Sequence, residues 1–219
     1  MKTIHYQNRN YTILGDLKAS TFLIYLVDES NPEDYEQIYQ KISNEYQLCM
    51  ISVSIHDWQG ELSPWPAPAI FGKHDFAGNA AKFLAELEGF WKWFKDEYNI
   101  ESNQVYLCGY SLAGLFTLWA STHTNTFQKI ASVSPSVWFL NFVQYMQQNQ
   151  VHASEVYMSL GDKEANAKNK VMATVKACFD AVIQNLQKQD IPLTYEYNPG
   201  NHFQDVELRM TKGIRQLLL

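Results

Sequence analysis

The stretch VYLCGYSLAGLFTLWA, residues 105–120, opens as an apolar run suited to a strand and continues as one suited to a helix, with Gly109-Tyr110-Ser111-Leu112-Ala113 between them. A serine at such a reversal stands exposed at the tip of a turn. Its flanks must be small because neighbouring backbone passes close by, and Gly109, Ala113 and Gly114 meet that demand. A serine hydroxyl is a weak nucleophile at neutral pH, so chemistry at Ser111 needs a base and donors for a developing oxyanion. The first N–H groups of the following helix, that of Leu112 foremost, point where that charge would form. The alternative is a serine that merely caps a helix.

Working outward, TFLIYLV (21–27), LCMISVSI (48–55), VYLCG (105–109), KIASVS (129–134), EVYMSL (155–160) and LTYEYN (193–198) are short, β-branched or aromatic runs. They read as strands covered on both faces. Between them, Phe83, Leu87, Trp91, Phe94 and Tyr98 recur at helical spacing, as do Val171, Val175, Phe179, Val182 and Leu186 between Asn166 and Lys188. A last helix is expected over about 205–218. Alternation around Asn8-Arg9-Asn10 predicts an N-terminal antiparallel hairpin. The expected class is α/β, a mostly parallel central sheet with helices on both faces.

With 219 residues, no internal repeat and no linker-like tract, residues 1–219 are expected to form one domain. A hydrophobic fraction of 46% excludes a disordered chain, and a net charge of −6 without a Lys/Arg cluster argues against nucleic acid. Cys49, Cys108 and Cys178, odd in number and widely spaced, read as buried reduced thiols. No apolar run approaches the roughly 20 residues of a membrane span, and the N-terminus lacks the apolar stretch of a signal peptide. The expectation is a soluble, cytoplasmic chain with no membrane partner. Residues 57–78, DWQGELSPWPAPAIFGKHDFAG, form a long connection expected to act as a pocket wall or lid, with Trp58 and Trp65 offering large apolar faces to a ligand.

Gly109 to Ala113 match the nucleophile-elbow pattern G-x-S-x-G, with alanine in the last place. For a base, His202 in PGNHFQD follows the last strand and precedes the last helix. His5, His56 and His74 precede the serine, His123 ends the elbow helix, and His152 precedes the strand that should bring the acid. After that strand the text is Gly161-Asp162-Lys163-Glu164, and either carboxylate could orient the imidazole. Metal-dependent chemistry finds no HExxH or comparable spacing, and no cofactor is expected.

Taken in order, GYSLAGLFTLWA, SVSPSVWF, SLGDKE and PGNHFQD resemble the esterase branch of the α/β hydrolases that includes enterochelin-type siderophore esterases and esterase D. The resemblance implies an α/β-hydrolase fold, Ser111 as nucleophile, His202 as base and Trp138 beside an acyl pocket. Relatives place the acid three residues beyond the glycine that ends its strand, which favours Glu164 and leaves Asp162 to brace the turn. One departure stands out: Asp28-Glu29-Ser30-Asn31 occupies the place where many relatives carry His-Gly. There the backbone N–H of Glu29, or of a neighbour in the 28–31 loop, would serve as the second oxyanion donor beside Leu112. The expected function is serine-dependent hydrolysis of a small-molecule carboxylic ester or thioester through an acyl-enzyme. The alternatives are an acyltransferase with the same residues and a binding module on a hydrolase scaffold. Sequence does not address the oligomeric state.

Overall fold

In the computed structural model, residues 1–28, 34–102 and 104–219 are described. Along the chain these are β1 (Lys2–Tyr6), β2 (Arg9–Gly15), β3 (Thr21–Asp28), α1 (Asp34–Ser43), β4 (Cys49–Ile55), α2 (Trp58–Glu61), β5 (Pro66–Ala67), β6 (Phe76–Ala77), α3 (Ala80–Tyr98), β7 (Gln104–Tyr110), α4 (Leu112–Ala120), β8 (Lys129–Val133), α5 (Phe142–Gln148) and β9 (Glu155–Gly161). Two 3-10 turns, Glu164–Asn166 and Met172–Thr174, lead into α6 (Val175–Leu186), β10 (Leu193–Asn198) and α7 (Val206–Leu218).

Eight strands form one sheet in the order β1-β2-β4-β3-β7-β8-β9-β10. β1 pairs antiparallel with β2, and β2 with β4; from β4 to β10 every pairing is parallel. Because strand side chains alternate, the sheet buries two separate apolar layers. Phe22, Ile24 and Leu26 of β3 and Leu107 of β7 face α3, α4 and α6, while Leu23, Tyr25, Tyr106 and Cys108 face α1 and α7. The parallel strands deliver all their C-terminal ends, and the loops that follow, to one edge.

The structure moves several boundaries expected from sequence. The hairpin turns at Gln7-Asn8, with Tyr6 opposite Arg9, and not around Asn8-Arg9-Asn10. Arg9 is held in the strand because its guanidinium is buried against Glu61 (2.9 Å) and Glu86 (3.2 Å). The helix expected from residue 166 begins only at Val175. Asn169 diverts the chain before it: its Oδ1 accepts from the N–H groups of Val171 and Met172, and its Nδ2 donates to the Ile70 carbonyl. β10 lies at the sheet edge and leaves Tyr195 and Tyr197 exposed, so it is not covered on both faces. The segment 57–78 is not structureless. It holds α2 and the β5–β6 ladder, and Gln59 Nε2 donates to the Phe71 and His74 carbonyls while Asp75 accepts from Ala69 N–H.

A close approach explains the small residues around Ser111. A Cβ on Gly109 would lie 2.5 Å from the Ala113 carbonyl carbon and oxygen, so β7 and α4 can meet at this angle only without it. Gly109→Ala is therefore expected to destabilise the fold by about 3 kcal/mol, read as a lowered midpoint in urea at unchanged slope.

Candidate active site

Ser111 joins β7 to α4 with φ 59° and ψ −120°, a conformation that a side-chain-bearing residue adopts at a cost. Three bonds hold it there. Its N–H donates to Val133 O (3.1 Å), and its carbonyl accepts from Leu115 N–H (3.0 Å) and Ser136 N–H (3.0 Å). The hydroxyl is thereby presented at the C-terminal edge of the sheet, half-buried. At the start of α4 the N–H of Leu112 has no acceptor within the helix.

The loops after β9 and β10 arrive beside it. His202 Nε2 lies 3.0 Å from Ser111 Oγ, and His202 Nδ1 lies 2.7 Å from Glu164 Oε2. Three residues 91 and 38 positions apart thus form one continuous hydrogen-bond chain. Asp162 takes no part in it: its Oδ1 accepts from Gly200 N–H at 2.8 Å, which braces the loop that carries His202. Tyr110, next to the serine, donates to the His202 carbonyl at 2.7 Å.

Glu164 is buried, with a side chain 3% exposed. Burial works against its charge, but the bonds and charge of His202, the Gly161 N–H on Oε1 (2.7 Å) and the Ser134 hydroxyl outweigh it and hold the carboxyl below its ordinary value. Arg209 also reaches Oε1, at 3.1 Å.

A cavity of about 730 Å³ opens over Ser111 and His202. Its apolar walls are Trp58, Phe71, Trp138, Met172, Val175 and Phe203, and Asp28, Lys163 and Ser136 add polar groups. Of the tryptophans expected to face a ligand, Trp58 and Trp138 line this cavity. Trp65 does not line this cavity. It packs against Phe139, Phe142 and Tyr145, and its Nε1 donates to Leu140 O, because the β5–β6 ladder turns it toward α5. Glu29, the expected second oxyanion donor, lies outside the described residues. Sequence reasoning missed Phe71, Ser136, whose Oγ is 3.3 Å from Ser111 Oγ, and Arg209. Only Phe203, beside His202, carried a positional signal. Among the described residues no group of three or more His, Cys, Asp or Glu side chains could hold a metal ion, and no helix is long and apolar enough to cross a membrane.

The overall fold has counterparts among solved structures. An IroE-like serine hydrolase from Shewanella oneidensis superposes with a TM-score of 0.78 at 18% identity, over 96% of this chain and 75% of that one. The fold is that of an α/β hydrolase. The siderophore hydrolase EstB from Aspergillus nidulans shares it with a TM-score of 0.75 at 13% identity, over 99% of this chain and 93% of its own. So does the enterobactin esterase FES from Shigella flexneri, with 0.71 at 13% identity over 99% of this chain and 58% of that chain. The model of the prolyl oligopeptidase family matches residues 80–185, which run from α3 through the elbow to α6. No curated protein matches the sequence.

The depressed pKa of Glu164 has a consequence for stability. A carboxyl held lower in the folded than in the unfolded chain contributes stability that is fully present above the unfolded value, about 4.3, and is lost as pH falls through the folded value. Unfolding free energies measured across this range should therefore fall more steeply with acid in the wild type than in Glu164→Gln. Parallel curves would contradict the assignment.

Proposed function

We propose that the protein is a serine-dependent carboxylic ester hydrolase in which Ser111 is the nucleophile, His202 the general base and acid, and Glu164 the residue that orients and charge-balances the imidazole. The hydrogen-bond chain from Ser111 Oγ through His202 to Glu164 carries this reading. Residues 1–219 act as one catalytic domain, with 57–78 as a wall of the pocket.

Ser111 Oγ attacks the ester carbonyl while its proton passes to His202 Nε2, and the carbonyl electron pair moves onto oxygen. Glu164 accepts the Nδ1–H bond and stabilises the imidazolium. The oxyanion meets the N–H of Leu112 at the start of α4. On collapse the ester C–O bond breaks, and the proton on Nε2 goes to the departing alcohol. Water then gives a proton to His202 and attacks the acyl-enzyme; the carboxylic acid leaves as Ser111 recovers its proton. A thioester follows the same course with a thiol as leaving group.

Two of the structural relatives are named a siderophore hydrolase and an enterobactin esterase, which supports a small-molecule ester as substrate. The aromatic walls Trp58, Phe71, Trp138 and Phe203 suit an apolar or aryl acyl group.

The direct test is a fluorophosphonate probe followed by mass spectrometry. An adduct on Ser111 is expected, and its absence under conditions that label other serine hydrolases would refute the reading. Ser111→Ala should lower hydrolysis of p-nitrophenyl esters by about a thousandfold or more with nearly the wild-type melting temperature. Glu164→Gln should lower kcat by about a thousandfold with little change in KM, whereas Asp162→Asn should mainly lower stability, by about 1 kcal/mol.

The two tryptophans of segment 57–78 should separate in assay. Trp58→Ala is expected to change the kcat/KM ratio between short and long acyl esters by about tenfold at little cost in stability. Trp65→Ala should leave that ratio unchanged and destabilise the fold by about 2 kcal/mol.

A further inference from the structure

Arg209 lies in α7, on the face that also buries Met210, Gly213, Ile214 and Leu217. It is 0% exposed. Burying a guanidinium is costly unless its donors are satisfied and its charge is met. Nη2 donates to the carbonyls of Pro199 and Asn201, both at 2.9 Å, on the loop that carries His202. Nη1 donates to Tyr110 Oη (3.2 Å), Ser134 Oγ (3.2 Å) and Glu164 Oε1 (3.1 Å). The space it occupies is kept open by Gly161, where an added Cβ would lie 2.9 Å from both terminal nitrogens.

These contacts reach the segments that carry Ser111, Glu164 and His202. Tyr110 precedes the nucleophile and itself donates to the His202 carbonyl; Pro199 and Asn201 flank the approach to His202; Glu164 is the acid. With Gly161 N–H and Arg209 both on Oε1, the carboxylate plane is set and Oε2 is left to face His202 Nδ1. We propose that Arg209 is the positioning residue of this site, which fixes the Glu164 carboxylate and the His202 loop together and, through its charge, keeps the Glu164–His202 pair free of its extra proton toward lower pH. This rests on the triad reading above.

The sign of the electrostatic effect follows from Coulomb's law. A cation 3.1 Å from the carboxylate opposes any proton added to the pair, whichever partner receives it. The other charged or titratable groups facing the pair, among the described residues, are Tyr110 from β7, Asp28 at the end of β3 across the cavity, and Asp162 and Lys163 beside Glu164. Burial pushes the Tyr110 phenol up, so it stays neutral over the working range. Arg209 holds that phenol down by charge and hydrogen bond, so its replacement moves Tyr110 further up and leaves it neutral as before.

The test is the pH profile of kcat/KM for a p-nitrophenyl ester in wild type, Arg209→Met, Arg209→Lys and Tyr110→Phe, with circular dichroism and melting curves as the check on folding. Arg209→Met should lower kcat about a hundredfold and move the acidic midpoint up by about one pH unit. Arg209→Lys keeps the charge but not the fork, so kcat should fall about tenfold with the midpoint and KM unmoved. Tyr110→Phe, which keeps the ring, should also lower kcat without moving the midpoint. A folded Arg209→Met with the wild-type midpoint overturns the proposal. If that variant does not fold, wild-type kcat in both Arg209→Lys and Tyr110→Phe overturns it, and the expected kcat losses at constant KM support it. A wild-type protein that resists the fluorophosphonate refutes the triad itself, whereas labelling at Ser111 together with an unmoved midpoint refutes only the role of Arg209.

Discussion

Turning the chain from β7 into α4 within one residue requires that Gly109 carry no side chain, because the backbone of Ala113 occupies the place where a Cβ would sit. That contact draws the elbow tight and leaves Ser111 at positive φ with its hydroxyl facing out of the sheet. The serine is then held from three sides, by Val133, Leu115 and Ser136. β8 lies beside β7 on one side and β3 on the other, so the strain is absorbed in the middle of the sheet, where the surrounding structure is least able to relax. The cost of the turn is what holds the Ser111 hydroxyl at a fixed point.

Parallel pairing supplies the partners. Because β7, β8, β9 and β10 run the same way, the loops after β9 and β10 emerge at the same edge as the elbow, and side chains far apart in the chain meet there. The sheet stops at β10. The loop after it therefore has no further strand to lean on, and its position is set from below, by Asp162 on Gly200 N–H and by Arg209 on two of its carbonyls.

Charge is managed differently on the two sides of the site. Beneath it, Glu164 and Arg209 form a buried pair; the Nη groups of Arg209 and Oε1 of Glu164 also bond backbone and hydroxyl groups, while the Arg209 Nε–H is buried without a partner among the described residues. Above it, the cavity is largely aromatic, with Phe203 exposed at its mouth beside His202. An apolar pocket over a preorganised polar floor strengthens electrostatic contacts to any polar group bound there, since water that would screen them is displaced.

The order of strands and helices, the turn at Ser111, and the positions of Glu164 and His202 were legible in the sequence. The elements and the turn depend on local rules, namely alternation within strands, helical spacing and small residues at a tight reversal; His202 stands out by its place after the last strand, and Glu164 is preferred to Asp162 only through the resemblance to esterases. Local rules also assigned the bracing role to Asp162. They failed where a distant partner overrode them. Arg9 looks like part of a turn until Glu61 and Glu86 bury it in β2; Trp65 looks like a pocket wall until the β5–β6 ladder turns it onto Phe139 and Tyr145. The helix before β10 starts late because Asn169 bonds to the 57–78 segment, 99 residues away. Arg209 reads in the sequence as one more charge on an amphipathic helix. Only the packing of α7 under the β9 and β10 loops brings its guanidinium to Glu164, because the acceptors it satisfies come from four separate segments that no single stretch of sequence contains.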